Sequence, residues 1–247
     1  MPRRSYSGIS AKLEAIATQR KDAALRRLAQ AVRAFEADFA EAMSQKGAWD
    51  YQALDAMVAT IADALRRSGL PAIADEFGDA ALSYAKTVDG SIKALTFTSS
   101  EANILHAAVN AKYDGWAEAT GGRFTRWLRA KMAEQVVAPI STRDLVAQSL
   151  EYLEDRLKPY AQTYIDTALH QGIRDTWAVA GEAMGAVLWE YAGPPLIATS
   201  HEFCIEHLGD TLPLDEWRAL DNGTDLPVVW SCAGWGCRHY LEPVPGD

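Results

Sequence analysis

The chain has little cysteine and no long apolar run. Three cysteines in 247 residues, an odd number gathered at one end, do not suit the paired framework of a secreted disulfide protein. They favour a reducing compartment, with free thiols or metal ligands. No apolar stretch approaches the roughly 18 residues that cross a bilayer, and the N-terminus lacks the apolar block of a secretion signal. We therefore expect no membrane span.

Recognisable catalytic motifs are also missing. The sequence contains no G-x-S-x-G elbow, no P-loop and no G-x-G-x-x-G. His201-Glu202 is followed by His207, which comes two residues too late for the H-E-x-x-H pattern on one helix face. A Cys–His nucleophile pair, such as Cys237 with His207, stays open, although nothing in the sequence supports it. We expect a protein that is not an enzyme.

Most of the chain has the apolar spacing of long helices. Leu13, Ile16, Ala24 and Leu28 begin a stripe in steps of three, four or eight residues, which predicts a helix from Ser10 to Gln45. Further helices are predicted over residues 50–68, 71–86, 101–137, 143–158 and 159–184, with a short extended segment at 91–98. Either Ser99 or Ser100 is expected to cap the 101–137 helix, and Pro159 either begins a helix or kinks a continuous one.

The sequence changes character at Gly185. Short strands are predicted at 186–191, 226–230 and 240–244, with one or two helical turns at 214–220. The predicted fold is mainly α: a long-helix bundle or stalk over residues 1–185, followed by a small α+β module with short strands over 186–247. No repeat and no Ser/Gly/Pro-rich linker separates the two parts.

Charge is distributed unevenly. Residues 1–33 hold eight basic and two acidic residues, a net charge of +6. Because the whole chain has a net charge of −9, the rest of it carries −15. A basic N-terminal helix on an acidic chain suggests contact with nucleic acid or an acidic protein surface, and the candidates are Arg20, Lys21, Arg26 and Arg27. The alternative is a solvated helix face.

Cysteine and histidine cluster in the last 60 residues. Cys204 and His207 are spaced C-x-x-H, and Cys237 and His239 are spaced C-x-H. Two such pairs can close a tetrahedral Zn²⁺ site, and a small module gains much stability from a metal. His201 and Cys232 are spare candidates. In the alternative interpretation the cysteines are small buried apolar residues, and the histidines hydrogen-bond the backbone.

The same region resembles a phage protein family. Trp189-Glu190-Tyr191-Ala192-Gly193, Phe203-Cys204 before Gly209, and Cys237-Arg238-His239 before Pro243-Val244 are similar to the C-terminal pattern of the Mu F-like minor head (head morphogenesis) proteins of tailed bacteriophages. About a quarter of the chain carries the resemblance. The sequence departs from the pattern at Thr199-Ser200-His201 and at Gly236. By similarity Cys204, His207, Cys237 and His239 fall on the family's Cys/His positions.

The resemblance implies a virion protein without enzymatic activity. Such a protein would lie inside the capsid near the portal and contact the portal protein and the inner capsid or scaffold. It would aid head assembly while it is in the host cytoplasm, and it could be ejected with the DNA. The basic N-terminal helix could face packaged double-stranded DNA. The alternative from a different class is a Cys/His metal-dependent enzyme that acts on nucleic acid or cell wall during infection.

Overall fold

The computed structural model describes residues 6–45, 70–92, 95–135, 137–138, 140–225 and 227–245. Long helices dominate, as predicted: α1 (Ser7–Gln45), α2 (Leu70–Ser91), α3 (Ser99–Gln135), α4 (Thr142–Tyr152) and α5 (Lys158–Met184). Three short helices follow: α6 (Glu202–His207), α7 (Leu214–Ala219) and α8 (Val228–Ser231). No helix among the described residues is long and apolar enough to cross a membrane.

The helix predictions agree with the structure in type, with shifts at the ends. The helix predicted at 50–68 lies outside the described residues. The helix predicted at 71–86 is longer than expected, because α2 continues to Ser91. No strand forms in the described part of 91–98, where the chain is helical or irregular. This stretch alternates only weakly, and the described strands pair with one another rather than with it.

Hydrogen bonds show where two helices begin. The N–H of Thr98 donates to the carboxylate of Glu101 at 2.7 Å, and the Glu101 N–H donates to Thr98 Oγ1 at 3.2 Å. This reciprocal capping box makes Thr98, rather than Ser99 or Ser100, the cap of α3. Ser141 caps α4 as its sequence predicts, since it accepts from the Asp144 N–H at 3.1 Å.

Pro159 does not break the chain into separate helices. A π-helical turn, Leu153–Leu157, joins α4 to α5, and Pro159 is the second residue of α5. Proline has no N–H and its ring clashes with the carbonyl four residues earlier, so a wider turn just before it relieves the crowding.

Three short strands form one antiparallel sheet, in the order β2-β1-β3, from β1 (Leu188–Ala192), β2 (Thr211–Pro213) and β3 (Tyr240–Pro243). In the central strand Trp189 lies opposite Leu212 on one side and Pro243 on the other. The predictions at 186–191 and 240–244 are confirmed. The strand predicted at 226–230 is wrong: its described part forms the helix α8 after Pro227, because a short apolar run cannot by itself separate a strand from a buried helical turn.

The chain divides into two compact units. One contains 1–22, 76–112 and 163–247, and the other contains 23–75 and 113–162. These units do not coincide with the boundary placed at residue 185 from sequence character. The local structure does change there, since α5 ends at Met184 and the sheet begins at Leu188.

Each unit has its own apolar core. In the second unit Phe35 and Phe39 of α1 pack with Phe124 of α3, and α4 adds Leu145. In the first unit the sheet and the short helices enclose a cluster rich in aromatic and cysteine side chains: Trp189, Tyr191, Phe203, Cys204, Trp217, Val228, Val229, Cys232, Ala233, Cys237 and Leu241. We call this set the module core.

Candidate metal centre

Three of the four predicted metal ligands meet inside the module core. The Sγ atoms of Cys204 and Cys237 are 3.7 Å apart, and Cys237 Sγ is 3.7 Å from Nδ1 of His239. The three donor atoms all lie within 4.8 Å of one another. Their residues are 1%, 2% and 5% exposed. Two sulfurs and one imidazole nitrogen, shielded from water at this spacing, are a donor set that can hold a metal ion.

Strand β1 supplies one wall of the centre. Its side chains alternate between exposed and buried, so Trp189 and Tyr191 point inward together. The Tyr191 hydroxyl lies 3.4 Å from Cys204 Sγ and 3.6 Å from Cys237 Sγ. Trp189 is fixed from behind, because Trp217 Nε1 donates to its carbonyl at 2.9 Å. The W-x-Y spacing therefore places a phenol against both sulfurs.

The hydrogen bond made by its outer ring nitrogen, Nε2, orients His239 for ligation through Nδ1. Nε2 lies 3.1 Å from the carbonyl oxygen of Pro194, and a carbonyl can only accept, so Nε2 carries the proton. In neutral imidazole Nδ1 then keeps its lone pair and faces the sulfur of Cys237. The ring also stacks on Tyr191, with centroids 5.5 Å apart and an interplanar angle of 19°. A backbone carbonyl behind the ring is a common support for a metal-ligating histidine.

Arg174 of α5 holds the ligand segment from the opposite side. It is buried, and its guanidinium donates to the carbonyl of His239 at 2.8 Å and to that of Cys237 at 2.5 Å. A third bond, at 3.3 Å, reaches the side-chain oxygen of Gln171. The bonds to the two carbonyls hold the backbone of Cys237 and His239, the two candidate ligands that are nearest to each other in the sequence. Sequence patterns did not indicate this residue, because α5 is distant from the Cys/His motifs along the chain.

The cluster concentrates negative charge on one sulfur. The thiols of Cys204 and Cys232 lower the pKa of Cys237, and the Arg174 charge acts in the same direction, which outweighs the opposing effect of burial. The pKa of Cys204 is raised by its hydrogen bond with Cys237 and by burial. Burial also raises the pKa of Cys232 and of the Tyr191 hydroxyl. Among the three thiols, that of Cys237 is thus the one whose deprotonation the surroundings favour.

The remaining predicted and spare ligands lie elsewhere or at the edge. His207, at the end of α6, pairs through Nδ1 with Asp210 at 2.9 Å and packs on the ring of Phe203. The structure therefore does not bring His207 to the other three. His201 is exposed and bonds the carbonyl of Trp235 at 2.9 Å. Cys232 is buried in the module core beside Cys237.

The four predicted contact residues on α1 differ in environment. Arg20 pairs with Glu76 and Lys21 pairs with Asp166, each at 2.7 Å. Arg26 is exposed and Arg27 is half-buried. The first two charges are therefore partly neutralised by carboxylates of their own unit, and a role for the four in binding DNA or a partner stays a prediction.

Comparison of the chain with known proteins gives no match to a protein-family model, to a curated protein or to a solved structure.

Proposed function

We propose that this chain is a minor head, or head morphogenesis, protein of a tailed bacteriophage. It acts inside the capsid near the portal, where it contacts the portal protein and the inner capsid or scaffold, and its C-terminal module is stabilised by zinc. One observation carries the proposal. Five of the motif residues on which the Mu F-like resemblance depends meet at one buried centre, although they are scattered along the chain: Tyr191, Gly193, Cys204, Cys237 and His239.

Several residues of the resemblance build that centre or the sheet beside it. Tyr191 touches both cysteine sulfurs, and Gly193 leaves room for the His239 ring. Pro243 pairs with Trp189 across the sheet. A family module that is recognised by a few separated residues, without overall sequence similarity, requires those residues to share a structural role.

Zinc fits the donors better than the hard cations do. Thiolate sulfur and imidazole nitrogen suit Zn²⁺, whereas Mg²⁺ and Ca²⁺ select oxygen ligands. Bound there, zinc would cross-link α6 to the segment that precedes β3. The module has only short strands and helices, so such a cross-link would contribute much of its stability.

Exposed apolar side chains support a role in an assembly. Of the nine large apolar residues exposed in the described part of the chain, seven lie between residues 187 and 235. They include Val187, Ile197, Ile205, Trp230 and Trp235. A protein that acts alone in water rarely leaves such residues exposed together in one small module, whereas one that docks on a larger particle buries them.

A metal-dependent enzyme is the second candidate, and one observation favours it. Three protein ligands with a free fourth position are the arrangement of a catalytic zinc site. The deep burial of all three donors opposes it, because a substrate must reach the metal. We therefore place the structural role first.

Quantitative mass spectrometry of particles from the phage or prophage that encodes the chain, before and after DNA release, tests the proposal. A few copies per portal in full particles are expected. Their loss on DNA release would add an ejection role, and their retention would indicate a fixed assembly part. Absence of the chain from purified particles would overturn the proposal.

A further inference from the structure

The candidate centre is one ligand short of a closed site. Structural zinc is almost always held by four protein ligands in a tetrahedron, and the cluster of Cys204, Cys237 and His239 supplies three. His207 is engaged with Asp210 on the outside of the module. The question is which buried side chain completes the tetrahedron.

Cys232 lies beside the cluster. It is fully buried in the module core, and its thiol interacts with the sulfur of Cys237. Cys237 also contacts Cys204 and His239, so it is the shared neighbour of every other sulfur and nitrogen donor in the group. Cys232 therefore contacts the cluster through Cys237.

The backbone at Cys232 is strained in a way that fixes the position of its side chain. Cys232 is the one described residue other than glycine with a positive φ, at 49°. Its N–H donates to the carbonyl of Val228 at 2.8 Å, and its carbonyl accepts from the buried amide of Asn222. Such a conformation is unfavourable and persists where the surroundings enforce it, often at functional sites.

Charge balance points to the same residue. Arg174 is buried, and it hydrogen-bonds the carbonyls of Cys237 and His239, the side-chain oxygen of Gln171 and the thiol of Cys232. Zn²⁺ with two thiolates and a neutral imidazole has no net charge, so such a centre does nothing to offset the buried guanidinium. A third thiolate gives the centre a charge of −1. Arg174 interacts with both Cys232 and Cys237, so it is placed to balance that charge.

We propose that Cys232 is the fourth ligand, which gives a closed Cys₃His zinc centre of Cys204, Cys232, Cys237 and His239. The inference rests on the proposed zinc site and names its composition. Binding leaves all three sulfurs as thiolates, and each thiol that is protonated beforehand releases its proton to solvent. With four protein ligands no position remains for a substrate or an activated water, which assigns the metal a structural rather than a catalytic role.

X-ray absorption at the zinc edge of the zinc-loaded wild-type chain tests the ligand set without any substitution. Three sulfurs at about 2.3 Å and one nitrogen at about 2.0–2.1 Å are expected. Two sulfurs with two nitrogen or oxygen ligands would overturn the role of Cys232 and leave the zinc centre standing. Failure of the folded wild type to bind zinc stoichiometrically would overturn the zinc centre and this inference together.

Cobalt substitution gives an independent readout with matched variants. Cys232→Ala is expected to lower the sulfur-to-cobalt charge-transfer absorption by about one third, since three thiolates become two. It should weaken binding by more than about tenfold, because even changes outside the direct ligands cost that much. Cys232→Asp keeps a negative ligand, so it should recover part of the affinity. His207→Ala is the control. A Cys232→Ala spectrum equal to that of wild type would contradict the assignment.

Discussion

Gly193 lies so close to His239 that no side chain fits between them. A Cβ at Gly193 would come within 2.8 Å of Cδ2 of the His239 ring and 2.9 Å of the His239 Cα. The residue also has a φ of 147°, which side chains rarely adopt. The glycine of the W-x-Y-x-G motif is therefore a steric requirement of the candidate metal centre rather than of the strand that precedes it.

Gly193→Ala is expected to displace the His239 ring and to destabilise the chain by about 2–4 kcal/mol, from backbone strain and overpacking combined. Metal affinity should fall with it. Urea unfolding and cobalt titration measure the two effects. Gly209→Ala is the matched control, since Gly209 has a φ of 94° but open space around its Cα. It shares the strain without the clash, so an equal loss in both variants would contradict the steric argument.

Arg174 is expected to control the order of the ligand segment. Arg174→Met removes the donors to two buried carbonyls, at a cost of about 1–3 kcal/mol for each unsatisfied group. It should also weaken zinc binding about 10–100-fold, as loss of an outer-shell partner does. Arg174→Lys keeps the charge but cannot reach both carbonyls, so it should restore only part of the affinity.

The control for Arg174 is Arg218→Met in α7. Arg218 is exposed and pairs with the exposed Asp215, at 3.1 Å, so its loss should change stability by less than about 0.5 kcal/mol. Unfolding of each variant is followed with and without zinc. If Arg174→Met binds zinc as tightly as wild type, the guanidinium has no part in organising the centre.

Local sequence signals predicted the elements better than they predicted the site. The helices, β1 and β3 follow from apolar spacing and capping residues. Strand β2 has three residues, too few to show a period, and 226–230 is mostly apolar, so it shows no alternation. Short-range spacing paired Cys204 with His207, yet the structure turns His207 toward Asp210. Which donors meet depends on contacts between distant segments, and spacing cannot encode these.

Residues outside the motifs show the same limit. Nothing in the local sequence marks Arg174 as a partner of Cys237 and His239, which are more than 60 positions away. Tyr191 is different, because its alternation with Trp189 in a short strand predicts that both side chains share a buried face. That alternation is a local signal from which the position of a phenol near the centre can be predicted.

Glu242 on β3 is expected to make stability depend on pH. Burial raises the pKa of its carboxyl, and the hydrogen bond from Ser10 only partly offsets this. The folded state therefore holds the proton more tightly than the unfolded state does. The stabilisation is complete below the ordinary carboxyl pKa and is lost as pH rises through the folded-state value.

Glu242→Gln, which cannot ionise, should be more stable than wild type at pH 7, and the gap should close near about pH 4. Urea midpoints across this range measure it, with the exposed Glu216→Gln as control. Equal midpoints for wild type and Glu242→Gln at pH 7 would show that Glu242 carries no desolvation penalty.

The basic residues of α1 make a separate prediction. If they face DNA, binding of double-stranded DNA should weaken steeply with salt, and joint neutralisation of Arg20, Lys21, Arg26 and Arg27 should abolish it. Filter binding or anisotropy at two salt concentrations measures this. Arg20 and Lys21 already pair with carboxylates, so neutralising these two alone should weaken binding less than the fourfold change does. Binding that survives the fourfold change would make α1 a solvated face.

Removal of the metal separates a structural centre from a catalytic one. With a structural zinc, chelation should unfold the module, since the cross-link from Cys204 to Cys237 and His239 is lost. Near-ultraviolet circular dichroism should then lose the signal of buried Trp189 and Trp217, and Cys204→Ser should reproduce the loss without a chelator. Zinc added back to the wild type should restore the spectrum. A chelated chain that keeps its spectrum and its unfolding midpoint would contradict the structural role, because a metal that contributes no folding energy is retained only for chemistry.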